Sequence, residues 1–365
     1  LNARCSVGDQ LHPTGKICKH TYELIGSVFR QVEAREPWCR DAHALTDIAV
    51  LTGEDFASGT FKDLQPWLMG AVRMLQELGH QFDLIDGHAD FRDYRMVILP
   101  DEIGLSPGVA ERLDAYVAYG GLVIASYHSG LALENGQEPL EAMGVHSVGE
   151  APYCPDFIIP RSALAHDLPR TEHAMYLRGM EVSSGPGATP AADVAVPYFN
   201  RTWEHFCSHR HTPSSGEIGY PGAVMTGRTL YFAHPIFSQY AENAPRWCKQ
   251  LLRNAINRLM PDPLVRHDGP SSLIVSLNEQ PEHKRWVLHL LHYIPERRGR
   301  AFDVVEDAIP LHDLHLSVAA EKPLRTARLV PQDEPLGIAV ADGRVEISVP
   351  RMEGHQMIEL SYGDR

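Results

Sequence analysis

The run Leu122-Val-Ile-Ala is apolar without a break, follows Gly120-Gly121, and leads into Ser126-Tyr-His-Ser. Such a run reads as a strand covered on both faces. Ahead of it, Tyr116 to Tyr119 read as the end of an amphipathic helix. The paired glycines let that helix stop and the chain reverse at once. Polar side chains then arrive at the strand's carboxyl end, the place where open α/β sheets bind ligands.

The surrounding chain repeats this alternation. Strands are expected at Asp47–Gly53, Phe82–Asp86 and Tyr94–Pro100. Helices are expected at Pro66–Leu78 and from Ser106, with Ser106 as N-cap and Pro107 in the first turn. The pattern implies a parallel, doubly wound, flavodoxin-like α/β sheet. From Leu140 to Arg228 the pattern loosens, and the segment Arg201–Pro213 is the most unusual part of it. Gly222–Met225, Thr229–Ala233 and a helix over Pro245–Leu259 close the domain, and Pro261-Asp-Pro263 reads as a stiff linker. Beyond it, residues 264–365 carry roughly seven short strands with turn signals between them, as in a β-sandwich.

The N-terminal stretch differs. Arg4–Pro13 reads as a short strand. Lys19–Ala34 reads as a helix with Tyr22, Ile25, Val28, Phe29 and Val32 on one face, ended by Pro37. One strand and one helix cannot bury a core alone. The expected domains are therefore residues 1–42, 43–262 and 263–365.

Composition narrows the function. The net charge of -14 and the lack of any Lys/Arg run argue against nucleic-acid or anionic-membrane partners. No window approaches the ~18 apolar residues of a membrane span, and no signal segment opens the chain. The six cysteines are scattered without a C-x-x-C pair, so neither a zinc ribbon nor a disulfide framework is expected. A cytoplasmic setting with reduced thiols is the plain expectation, and no cofactor is expected. The first residue is Leu1 rather than Met, which reads as a fragment or a processed product.

Three stretches carry a family resemblance: Gly120–Gly130, Thr229–Phe237 and Trp286–Arg298. They resemble bacterial glycoside hydrolases with a β-galactosidase-type trimerisation domain. Gly8–Pro13, Glu36–Cys39 and His205–Pro213 are similar to the α-L-fucosidase-related branch. The resemblance implies a catalytic (β/α)8 barrel, then a class I glutamine amidotransferase-like domain, then a small β-sandwich. It covers the family's C-terminal half, so residues 1–42 would be a remnant of the last βα unit of the barrel.

The chemistry has competing readings. Retaining glycosidases use two carboxyl groups roughly 5–5.5 Å apart, contributed by several barrel strands. By the resemblance, Asp9 and His12 would line a sugar pocket; alternatively Asp9 caps a helix approach and His12 is a turn residue. His205, His209 and His211 with Cys207 have three readings: zinc ligands, a locally bonded polar loop, or a loop that reaches into a barrel active site. We carry the last forward, with no metal. The amidotransferase-like elbow holds no cysteine. Ser126 and His128 are expected to share one face of the strand, and we read this pair as packing. By the resemblance, His234 stands where an amidotransferase has its catalytic histidine, and without a thiol partner it reads as structural. No catalytic residue is assigned.

The expected function is thus an assembly and active-site-completing part of a glycoside hydrolase. It would act on a carbohydrate, an α-L-fucoside or a β-galactoside, within a homo-oligomer, trimer or dimer, and be inactive alone. The alternatives are a free-standing amidotransferase-like enzyme and a carbohydrate-binding or scaffolding module.

Overall fold

A computed structural model describes residues 5–53, 65–132, 136, 139–319 and 321–362. Contacts divide the chain into two compact units. One is Thr46–Leu78 with Phe82–Pro263; the other is Leu1–Leu45 with Gly79–Gln81 and Leu264–Arg365.

Helix α1 (Lys19–Arg35) forms where its apolar period requires, yet none of its residues is buried. Tyr22, Val28, Phe29 and Val32 all stay exposed. The strand expected over Arg4–Pro13 does not form among the described residues. A strand needs a ladder partner, and this segment instead closes on itself, with Gly15 N–H donating to the His12 carbonyl at 2.7 Å. The following turn is tied to its own unit. Trp38 Nε1–H donates to Glu359 Oε2 at 2.6 Å, and Gln280 Nε2–H donates to the carbonyls of Pro37 and Arg40 at 3.1 and 2.6 Å. Strand β1 (His43–Ala44) then pairs antiparallel with Leu273–Gln280, His43 opposite Glu279.

The α/β unit follows. Its strands β2 (Ile48–Leu51), β3 (Phe82–Ile85), β4 (Met96–Leu99) and β5 (Leu122–Ser126) alternate with helices α2 (Pro66–Glu77) and α3 (Pro107–Ala118), β3 and β4 following one another without an α-helix. Every residue of β2 and β4 is buried, as their unbroken apolar sequences require. Ser106 does occupy the N-cap of α3, but its hydroxyl makes no capping bond. Gly120 takes φ +115 after α3, and a Cβ on Gly121 would sit 2.2 Å from the Tyr116 ring. Both positions of the turn therefore favour glycine.

The sheet order is β3-β2-β4-β5-(Thr229–Phe232), with all these neighbours parallel. Four antiparallel strands extend it: Ser214–Met225, Thr189–Pro197, Asp156–Pro160 and His173–Met175. Helices α4 (Ile236–Asn243) and α5 (Arg246–Leu259) complete the unit. Helix α2 lies directly on α4 at Gly70, where a Cβ would fall 2.0 Å from the Phe237 carbonyl oxygen.

In the other unit, a six-stranded sheet containing β1 and a four-stranded sheet enclose one core. Two strands illustrate the alternation: Leu273, Val275 and Leu277 point into that core from one sheet, and Leu314, Leu316 and Val318 from the other. No helix among the described residues is long and apolar enough to cross a membrane.

Candidate functional site

The carboxyl ends of β4 and β5 are built around Asp101. This residue is fully buried, at φ +43. Its backbone N–H donates to Ser126 Oγ at 2.9 Å, and Ser126 Oγ–H donates back to Asp101 Oδ1 at 2.7 Å. Asp101 Oδ2 accepts from both the N–H and the hydroxyl of Ser238, each at 2.7 Å. One carboxylate thus joins two strand ends to the first turn of α4. Burial raises the Asp101 carboxyl to about 6, against the lowering effect of the bonds from Ser126 and Ser238.

The elbow itself is Tyr127, at φ +53. A positive φ at a non-glycine residue is a strained geometry maintained by its surroundings. Tyr231 O–H donates to the Tyr127 carbonyl at 2.5 Å and fixes the turn. Burial, with Glu102 and Glu150 nearby, pushes the Tyr127 phenol up to about 12, so no phenolate is available at neutral pH. β5 ends at Ser126, so the turn at Tyr127 separates His128 from Ser126. The His128 ring stacks on Tyr127 at 3.8 Å, and its Nδ1–H donates to Glu102 Oε2 at 2.9 Å. The shared face expected of Ser126 and His128 is therefore absent, because the strand does not continue.

His234 is fully buried, and its Nε2–H donates to Asp156 Oδ1 at 2.7 Å. Tyr220 O–H donates to the other oxygen of that carboxylate at 2.8 Å. The acid partners missing from the sequence reading are thus Asp101 for Ser126 and Asp156 for His234. They are directed to different groups, and the Ser126 hydroxyl is committed to Asp101.

The loop 201–213 is irregular, and it separates its histidines. His205 is exposed, tilts on Phe199 at 5.7 Å, and its N–H donates to Thr202 Oγ1 at 3.0 Å. His209 is exposed. His211 is half-buried between Phe157 and Tyr176, with its Nδ1 3.1 Å from the Tyr176 hydroxyl. No group of three or more metal-ligating side chains is placed to hold an ion among the described residues. Trp203 is 90% and Phe206 69% exposed on the same loop. Asp9 and His12 are exposed in the irregular segment before α1, where His12 Nδ1 meets the Thr14 hydroxyl at 2.8 Å.

A cavity of about 830 Å³ opens beside Asp101, lined among others by Gly53, Trp67, Met69, Glu102 and Glu242.

Residues 64–144 match the family described as the β-galactosidase trimerisation domain. The whole chain superposes on α-L-fucosidase isoenzyme 2 from Paenibacillus thiaminolyticus with a TM-score of 0.91 and 33% identity, covering 56% of that chain. It is 27% identical over 233 residues to β-galactosidase BglY of Alicyclobacillus acidocaldarius, 60% of this chain and 32% of that protein. A β-galactosidase from Bacillus circulans shares the fold at a TM-score of 0.61 and 15% identity, over 95% of this chain and 46% of that one. The chain thus spans about half or less of these relatives. It carries a β-galactosidase-type trimerisation domain and corresponds along its whole length to glycoside hydrolase sequence.

Proposed function

We propose that this chain is the assembly part of a glycoside hydrolase that removes terminal sugars, α-L-fucosides before β-galactosides, as a closed homo-oligomer. The similarity of the whole of this chain to 56% of an α-L-fucosidase supports the choice of sugar. The parallel order β3-β2-β4-β5-(Thr229–Phe232) supports a flavodoxin-like, amidotransferase-like reading of the unit, here used as scaffold, since its elbow offers Tyr127 and a committed Ser126. Helix α1, with no buried residue, suits the last βα unit of a barrel, whose catalytic strands would supply the two carboxylates.

The observation that carries the reading is the exposure of Trp203 and Phe206 on one loop. Exposed aromatic residues of this size mark interaction surfaces. We place this loop at a subunit interface, where His205 and His209 would face a sugar site and His211 would hold the loop against Tyr176. Trp203→Ala with Phe206→Ala should shift the sedimentation mass toward monomer while circular dichroism stays native. A parent chain that is monomeric at micromolar concentration, or an oligomer untouched by the double substitution, would refute this interface.

A further inference from the structure

The order of the parallel strands creates a crevice. From β2 the chain runs through α2 to β3, on one side of the sheet order; from β4 it runs through α3 to β5, on the other. The connections part between the carboxyl ends of β2 and β4, and such a switch point is where open α/β sheets take their ligands. The cavity lies there, with Gly53 just beyond β2 and Glu102 just beyond β4. Its volume of about 830 Å³ falls within the range of small-molecule pockets. Two packed helices build its walls. Trp67 and Met69 come from α2, and Ser238, Ala241 and Glu242 from α4. The close approach at Gly70 holds those helices together, and Asp101 anchors Ser238 from below.

The lining chemistry selects a class of ligand. Trp67, Met69 and Leu177 offer apolar surface, while Glu102 and Glu242 offer carboxylates. Among the described lining residues there is no lysine or arginine, so the described walls offer no cation to a phosphate or a carboxylate. Each carboxylate already has a basic neighbour. Glu102 accepts from His128, and Glu242 lies 3.9 Å from the Arg210 guanidinium. An added cation is therefore not required to balance them. A neutral ligand with hydroxyls to donate and a C–H face to lay on apolar side chains satisfies both halves of the lining.

We infer that this crevice binds an uncharged monosaccharide, or the terminal sugar of a short glycan. The choice of sugar as ligand leans on the glycosidase reading; the site rests on the cavity and the strand order alone.

The test is titration of the 365-residue chain with L-fucose and D-galactose, followed by calorimetry and saturation-transfer NMR. Inorganic phosphate and putrescine serve as the anionic and cationic probes. Saturable binding of at least one sugar is expected, with neither ion competing. Glu102→Gln and Glu242→Gln should each weaken it about tenfold, the worth of one charge-assisted hydrogen bond. Ala241→Trp should fill the cavity and abolish it. Circular dichroism checks that the Trp variant folds, and the two Gln variants decide the matter if it does not. Absence of sugar binding, unchanged binding in the Gln variants, or displacement by phosphate or putrescine would each overturn the assignment. The assembly reading stands or falls separately, on sedimentation.

Discussion

The Ser126 hydroxyl donates a 2.7 Å hydrogen bond to Asp101, and both residues are completely buried. Asp101 also accepts two bonds from Ser238. Asp101→Asn would aim an amide donor at one of these donors. It should lower the unfolding free energy by about 1–3 kcal/mol, read by urea titration. Burial raises the folded carboxyl to about 6, above the unfolded value of about 3.9. The contribution is full below about 4 and is lost as pH rises through about 6. The advantage of the parent over the Asn variant should therefore shrink across that window. An Asn variant equal to the parent at every pH would show that the carboxylate does not join these elements.

The same bond commits Ser126 to structure. A serine nucleophile needs an adjacent base and an exposed oxygen, and this hydroxyl has a carboxylate partner but no exposure. The chain should take up no label at Ser126 from a fluorophosphonate and should release no ammonia from glutamine. A mass-spectrometric adduct on the Ser126 peptide would reinstate the amidotransferase-like enzyme as a reading.

In the sandwich, His289 and His355 lie parallel with ring centroids 5.5 Å apart and Nδ1 to Nε2 at 3.2 Å. Burial lowers both, to about 3 and about 4, the neighbouring imidazole adding to the effect at His289. Folded imidazoles thus stay neutral where unfolded ones take up protons, below about 6.5. Stability from this pair is full above about 6.5 and is lost as pH falls toward about 4 and then about 3. His289→Leu should flatten the thermal midpoint between about pH 6.5 and 4. A slope unchanged by the substitution would assign the acid sensitivity to other groups.

Sequence and structure agree where one period dominates. The apolar runs at Ile48, Met96 and Leu122 became buried parallel strands, and Pro107 took the first turn of α3. The stretch from Leu140 to Arg228 was obscure for a physical reason. The pairing of Thr189–Pro197 with Ser214–Met225 contains several register shifts, and each bulge resets the two-residue alternation. At Gly222, a Cβ would lie 2.9 Å from the Asp193 carbonyl oxygen. Asp101 is not singled out by the sequence, because nothing local marks its bonds to Ser126 and Ser238. Asp156 and His234 are likewise far apart in sequence and meet only through the sheet. For α1, the apolar period marks the helix, and its apolar face stays unburied.

The pairing of His43 with Glu279 sets a timetable for synthesis. Strand β1 emerges from the ribosome ahead of the α/β unit, while the strand it must join comes only after that whole unit has been made. At about 5–20 residues per second, that delay is on the order of ten seconds or more. Domains tend to fold as they appear, so the α/β unit can consolidate while β1 and the Trp38 turn remain unsatisfied. An unpaired strand edge is a template for other chains. The nascent protein would then be most exposed to aggregation after the α/β unit is made and before residues 264–365 arrive to close the sandwich.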